Sequence, residues 1–437
     1  MKGLTNGIIA AAVLLTLVAC GEDEVILAGV REPIRPQEDV SQIPVNRVEP
    51  ISLTAPRLNA EWTHKGGTPT HAIAHPVLSQ QLSLIWSTNI GEGESLRARI
   101  SADPIVAANR IFVMDAESLV SAVDRNGQIL WSTDLTPPGE NPGDGLGGGL
   151  AFSAGRVFAT SGYGSVVAMN ASNGAVLWEQ KLEAGASAAP TVVDGVVYLT
   201  SRNGTGWAIN AETGRILWEV LGVSTDRGLV GGPAPVLSGN EIVFPFGSGQ
   251  MVAADRRTGE RRWQASVSGE RPDRVLALVR DMTGDPVVIG RTLFAGTHAG
   301  RTGAFSTDGG QPLWTLEEGA MSQVWVEGGS VFLLTDENRL IRVNARTGEV
   351  VWRVALPFFV PERRERNRKT AYAHFGPIMA GGRLLVVSDD ELMRSFDPAS
   401  GAILSTQELP SGAASDPVVA GGTLYVVTED GNLNAFR

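Results

Sequence analysis

Trp86, Trp131, Trp178, Trp218, Trp263, Trp314 and Trp352 follow one another at intervals of 45, 47, 40, 45, 51 and 38 residues. A chain that repeats at this period is built from copies of one supersecondary unit, and forty to fifty residues is the length of a four-stranded propeller blade. One unit runs Asp103-Pro104-Ile105-Val106, Arg110-Ile111-Phe112-Val113, Leu119 to Asp124, then Gly127-Gln128-Ile129-Leu130-Trp131. Each piece is a short apolar or β-branched run bounded by Gly, Asn or Asp, the pattern of half-buried antiparallel strands. The unit returns with Asn173-Gly174 before Trp178, Thr213-Gly214 before Trp218, Thr258-Gly259 before Trp263, Gly309-Gly310 before Trp314 and Thr347-Gly348 before Trp352. A last copy, Ser400-Gly401-Ala402-Ile403-Leu404-Ser405, has lost its tryptophan.

Inner three-strand sets are expected to start near 103, 152, 190, 234, 286, 324, 376 and 417, and outer strands to end near the seven tryptophans and Ser405. Both series have eight members, but they are offset. The first outer strand, Gln81 to Asn89, has no inner set before it, and the last set, Pro417 to Phe436, has no outer strand after it. Ring closure reconciles them, predicting an all-β, eight-bladed propeller whose N-terminal strand completes the C-terminal blade and leaves fewer open sheet edges. The glycine of each turn suits a tight hairpin with φ > 0, and the tryptophan after it is expected to be structural, lying across to a neighbouring blade. Interblade connections share a face with the second-to-third turns. Several are long: Thr136 to Leu150, Leu221 to Gly232, Ala265 to Asp285 and Ala355 to Phe375. Long loops on a rigid scaffold are where binding is placed.

The chain has 437 residues, one cysteine and a formal net charge of −11. The acidic balance argues against a nucleic-acid partner. A lone cysteine excludes an intrachain disulfide and zinc sites that need two or more thiolates. Met1-Lys2 and the apolar run Gly7 to Ala19 read as a signal peptide, the run being shorter than the ~20 residues that span a bilayer. Leu17-Val18-Ala19-Cys20-Gly21 resembles the bacterial lipobox. That resemblance implies cleavage before Cys20, acylation there (palmitate among the chains) and, with Gly21 rather than Asp following, delivery to the outer membrane. The expected organisation is therefore a signal peptide at 1–19, lipidated Cys20 and a proline-punctuated tether over 20–58, and the propeller over 59–437.

The run Ala208-Ile209-Asn210-Ala211-Glu212-Thr213-Gly214-Arg215-Ile216-Leu217-Trp218 resembles the quinoprotein-type propeller repeat, which two families share. Quinoprotein alcohol dehydrogenases hold pyrroloquinoline quinone beside a disulfide of adjacent cysteines and a calcium ion. With Cys20 alone, this chain lacks that disulfide, and it has no haem-attachment Cys-x-x-Cys-His. The other family is BamB, the lipoprotein of the outer-membrane β-barrel assembly machinery, which the chain resembles from the lipobox to Arg437. That resemblance implies no cofactor and a non-enzymatic scaffold on the periplasmic face of the outer membrane. The implied partners are the periplasmic POTRA domains of BamA, the other subunits of the machinery and unfolded outer-membrane clients. It also implies contact residues. In Ser224 to Gly232, Leu229 matches the apolar contact, while Arg227 precedes it where the family's arginine follows. In Asp273 to Pro286, Asp281 matches the first aspartate and Thr283 stands in place of the second, beside the apolar Leu276 and Leu278.

His64, His71 and His75 have spacings of 7 and 4 but no acidic or cysteine ligands beside them, so a metal site is not expected. Arg363 to Lys369 is a basic run read first as a solvated loop. No spacing argues for a catalytic triad or a phosphate loop. The remaining alternatives to a scaffold are a quinone-dependent dehydrogenase and a polymer-binding propeller.

Overall fold

The computed structural model describes residues 46–186, 188–223, 232–267, 269, 282–361 and 369–437. The signal peptide and Cys20 lie outside these, as does most of the expected tether.

Among the described residues, thirty-two strands form eight four-stranded antiparallel sheets. Blades 1 to 7 are continuous in sequence, spanning 105–134, 148–181, 191–221, 236–266, 282–316, 325–355 and 374–408. Blade 8 joins the three strands within 418–436 to the N-terminal strand Leu84–Asn89, which pairs antiparallel with Asn432–Phe436. Ser83 and Arg437 extend that pairing through reciprocal backbone hydrogen bonds of 2.9 and 3.0 Å. The predicted ring and its closure are present, and the closing strand begins at Leu84 instead of Gln81.

Two inner strands start four residues earlier than the alternation predicts. That of blade 2 is Gly148–Ser153 instead of beginning near 152, because Gly148 and Gly149 read as loop yet fit beside blade 3. A Cβ on Gly149 would lie 2.6 Å from the Ala189 side chain. That of blade 5 is Met282–Ile289 instead of beginning at 286, and its register shifts between Gly284 and Val287, around a proline that cannot donate to the ladder.

The tryptophans act as interblade joints. Each indole rests on the turn glycine of the next blade: a Cβ added to Gly214, whose φ is +71°, would come within 2.8 Å of the Trp178 ring. Only a glycine supplies both that space and that backbone conformation. The indole N–H of Trp86, Trp131, Trp178, Trp263, Trp314 and Trp352 donates to a carbonyl in the same turn, over 2.9–3.2 Å. At Trp218 the equivalent carbonyl, of Arg256, accepts from the Tyr198 hydroxyl instead, and the Trp218 N–H has no partner. The missing eighth tryptophan has a physical reason. The third and fourth strands of blade 8, Asn432–Phe436 and Leu84–Asn89, are not joined by a turn, so no turn glycine faces the blade 7 position, and Ser405 meets Ser395 across its own sheet at 2.6 Å.

Candidate functional site

The innermost strand of a propeller blade exposes an unpaired backbone edge to the central channel, and buried amides there need partners. Residues 59–76 supply them by coiling once round the axis. In chain order, Asn59 meets blade 8 through Val419 O, and Trp62 exchanges two hydrogen bonds with Val106 of blade 1. Thr63 O accepts from Phe152 N of blade 2, and His64 Nε2 accepts from Val192 N of blade 3. Pro69 O accepts from Leu237 N of blade 4, and Thr70 O accepts from Val288 N of blade 5. His71 O accepts from the Gln323 amide at the entrance to blade 6, and Pro76 O accepts from Gly381 N of blade 7.

This coil explains the three histidines. Their spacings match blades 3, 5 and 7: besides the His64 bond, His71 Nδ1 lies 2.7 Å from Pro286 O, and His75 Nε2 accepts from Gly382 N at 2.8 Å. Burial pushes His64 down to about 3, and it also lowers His71. Both rings are therefore neutral near pH 7. Among the described residues, no group of three or more His, Cys, Asp or Glu is placed to hold a metal ion.

Lys65, on the same coil, reaches toward the starts of three inner strands. Its Nζ lies 3.0 Å from Asp285 and 4.0 Å from Asp103, with the Asp416 charge also acting on it. Each aspartate precedes a proline and accepts a backbone N–H from the neighbouring blade: Ala234 N to Asp285, Asp416 N to Asp103 and Gly376 N to Asp416, at 2.7–2.9 Å. Burial alone would lower the Lys65 ammonium, but Asp285, Asp103 and Asp416 outweigh it and hold the lysine charged. Burial raises Asp103 and Asp416 above the ordinary carboxylate range, against the opposing pull of Lys65.

Because the folded state raises the Asp103 pKa, it favours the protonated form, so Asp103 costs stability progressively as pH climbs above its ordinary value. Asp103→Asn keeps an oxygen for the Asp416 amide and removes that titration. Its melting temperature relative to the unmodified protein is expected to rise from pH 5 to pH 8, each unit of pKa shift being worth ~1.4 kcal/mol. A temperature difference that stays flat over that range would rule this out.

Above this cluster, on the interblade-loop face, opens a cavity of about 460 Å³ lined by Lys65, Asp103, Asp285, Met321, Tyr372 and Phe375 among others. Thr283 also lines it, and its hydroxyl donates to Ala320 O at 2.5 Å. The other expected contact residues, Arg227, Leu229, Leu276, Leu278 and Asp281, lie outside the described residues, as does the basic run apart from the exposed Lys369. Sequence reasoning missed Lys65 and assigned no role to the aspartates. The available signal was the recurrence of Asp-Pro at inner-strand starts, in Asp103-Pro104, Asp285-Pro286 and Asp416-Pro417.

Comparison with known proteins places these features in context. A family model described as outer membrane protein assembly factor BamB matches residues 116–354 and 360–437. The BamB of Yersinia pestis is 27% identical over 337 residues, covering 75% of this chain and 81% of that protein. The BamB of Escherichia coli K12 is 32% identical over 276 residues, covering 61% of this chain and 69% of its own. Among solved structures, BamB from Moraxella catarrhalis superposes with a TM-score of 0.67 at 17% identity, over 82% of this chain and all of that one (100%). The quinohemoprotein alcohol dehydrogenase of Comamonas testosteroni superposes with a TM-score of 0.65 at 15% identity, over 86% of this chain and 80% of that one. At such identities, both likenesses speak for the fold alone.

Proposed function

We propose, for a chain that belongs to the outer membrane protein assembly factor BamB family, a non-enzymatic scaffolding role in assembling β-barrel proteins at the outer membrane. The family match, extending over most of the propeller, is the observation that carries this reading. In detail, the propeller binds the periplasmic POTRA domains of BamA and works beside the other subunits, with unfolded outer-membrane chains as clients. The chain is anchored to the periplasmic face by acyl groups on Cys20, with residues 1–19 removed, 20–58 as the lead-in and 59–437 as the propeller.

The contact falls to the interblade connections 224–232 and 273–286. Leu229, Leu276 and Leu278 supply apolar anchors, while Arg227, Asp281 and Thr283 supply polar ones, a few of which carry most of the affinity. A ring whose axis is filled by its own chain suits this role, because it holds loops from neighbouring blades in fixed relation. The axial cluster also speaks against a dehydrogenase. Lys65 places an ammonium 3.0 Å from Asp285, where a bound cation would be repelled, and with Cys20 the only cysteine in the chain the dehydrogenases' disulfide of adjacent cysteines cannot form.

Co-purification with the periplasmic domains of BamA tests the assignment. Leu229→Asp combined with Asp281→Ala is expected to weaken capture at least about tenfold, ~1.4 kcal/mol, with the melting temperature preserved. Undiminished capture would sink the loop assignment.

A further inference from the structure

The outer strand of blade 6 differs from its counterparts. In blades 1, 2, 3, 7 and 8 the two aliphatic residues before the tryptophan position, such as Ile129-Leu130 and Ile403-Leu404, are 41–57% exposed. In blade 6, Val350 and Val351 are only 5% and 1% exposed. Residues 46–51 cover them. Arg47 N donates to Val351 O at 3.0 Å, and the Asn46 side-chain amide both accepts from Arg353 N and donates to Arg353 O, at 2.9 Å each, as a neighbouring strand's peptide group would.

What holds this segment down is a departure from the repeat. The residue paired with the blade tryptophan is alanine in six blades, namely Ala122, Ala168, Ala208, Ala253, Ala304 and Ala435, and Ser395 faces Ser405 in blade 7. In blade 6 it is Arg342, paired with Trp352. Arg342 is buried, and its guanidinium bonds to Ser330 Oγ and to carbonyl oxygens. It donates to Glu49 O at 2.6 Å and Pro50 O at 3.5 Å on the covering segment, and to Ala399 O at 3.2 Å on blade 7. Further along, Thr54 N donates to Glu327 Oε1 at 2.9 Å. Residues 46–50 bond to the outer strand, Arg342 and blade 7, whereas Thr54 reaches the end of the inner strand at Glu327 and its carbonyl lies 2.9 Å from His75 Nδ1 of the axial coil.

We propose that blade 6, from its outer strand across Arg342 to Glu327, is a docking site for an extended peptide segment, specified by Arg342 and occupied in cis by residues 46–54. Arg342 distinguishes this blade from the seven others by presenting a buried fork of donors to a backbone that runs past it. Docking there is separable from closure of the ring, because the closing strands Leu84–Asn89 and Asn432–Phe436 pair with each other and not with residues 46–54. This inference stands independently of the assembly role.

Arg342→Ala is a fair test, since alanine is the resident at this position in six blades of the same chain. In hydrogen exchange on the full-length protein, the amides of Arg47, Glu49 and Thr54 are expected to exchange about tenfold faster or more, those of Val106, Val192 and Val288 remaining unchanged. A second arm uses a labelled synthetic peptide of residues 44–54. It should bind a full-length chain whose own segment is loosened by Asn46→Ala and Arg47→Pro, and should bind neither the unmodified chain nor the loosened chain that also carries Arg342→Ala. Unchanged exchange at Arg47 and Glu49 would overturn the proposal, as would faster exchange spreading to Val192 and Val288. So would a peptide that fails to distinguish the loosened chain with and without Arg342→Ala.

Discussion

Lys65→Met is expected to lower unfolding stability by about 3–5 kcal/mol, the loss typical of removing one partner from a buried ion cluster. The methionine fills much the same volume, so little of the effect would come from a void. The loss comes mainly from the charge of Asp285, which lies 3.0 Å from the ammonium and is buried with no other cation in contact among the described residues, while Asp103, at 4.0 Å, is pushed toward its protonated form by burial. Their backbone donors, Ala234 N and Asp416 N, orient these carboxylates but do not neutralise them. Adding Asp285→Asn to Lys65→Met should recover part of the loss, because an uncharged amide needs no counter-charge. Chemical denaturation reads both effects as shifts of the midpoint at constant slope. A Lys65→Met midpoint within experimental error of the parent would show that the axial cluster does not hold the ring together.

Trp352→Ala is expected to cost a similar amount, about 3–5 kcal/mol, by a different mechanism, the opening of a cavity in a packed joint. Trp352 is fully buried, its ring centroid lies 6.0 Å from that of Phe332 at 41°, and its N–H donates to Pro398 O at 3.2 Å. It also fills the space above Gly401, where a Cβ would come within 2.9 Å of the ring. The substitution therefore loosens the junction between blades 6 and 7. That junction is followed by the one place in the ring that has no tryptophan, at Ser405, so the weakness should fall in blade 7. Hydrogen exchange would report it as faster exchange in residues 374–408 than in the distant blade 3. A loss spread evenly over all eight blades, or a cost under 1 kcal/mol, would contradict this account.

How much was legible in the sequence depended on how local each feature's cause is. An outer strand and its turn are encoded within a dozen residues, so Asn173-Gly174 to Trp178 could be read directly. Blade 2's inner strand starts in Gly148-Gly149, and glycine signals a loop unless one sees that Ala189 of the next blade leaves no room for a side chain. The coil at 59–76 has neither a period of 2 nor one of 3.6, because successive residues answer to successive blades instead of to one sheet or helix face. For that reason the histidine spacing carries no role in the sequence beyond a metal site that its neighbours argue against, and Lys65 goes unremarked. The expected contact loops were placed by resemblance, and most of their residues lie outside what the structure describes.

The sequence by itself determined the number of blades, the strand that closes the ring and the joint each tryptophan makes, because a repeat restates one local solution eight times and its period is countable. Only the tertiary structure decided what occupies the axis and the blade 6 edge. Those contacts join residues far apart in the chain, Lys65 with Asp285 and Arg342 with Glu49, and depend on where a closed ring brings its inner edges and its ends. Arg342, where the other blades have a small residue, is the position at which the ring holds its own N-terminal segment.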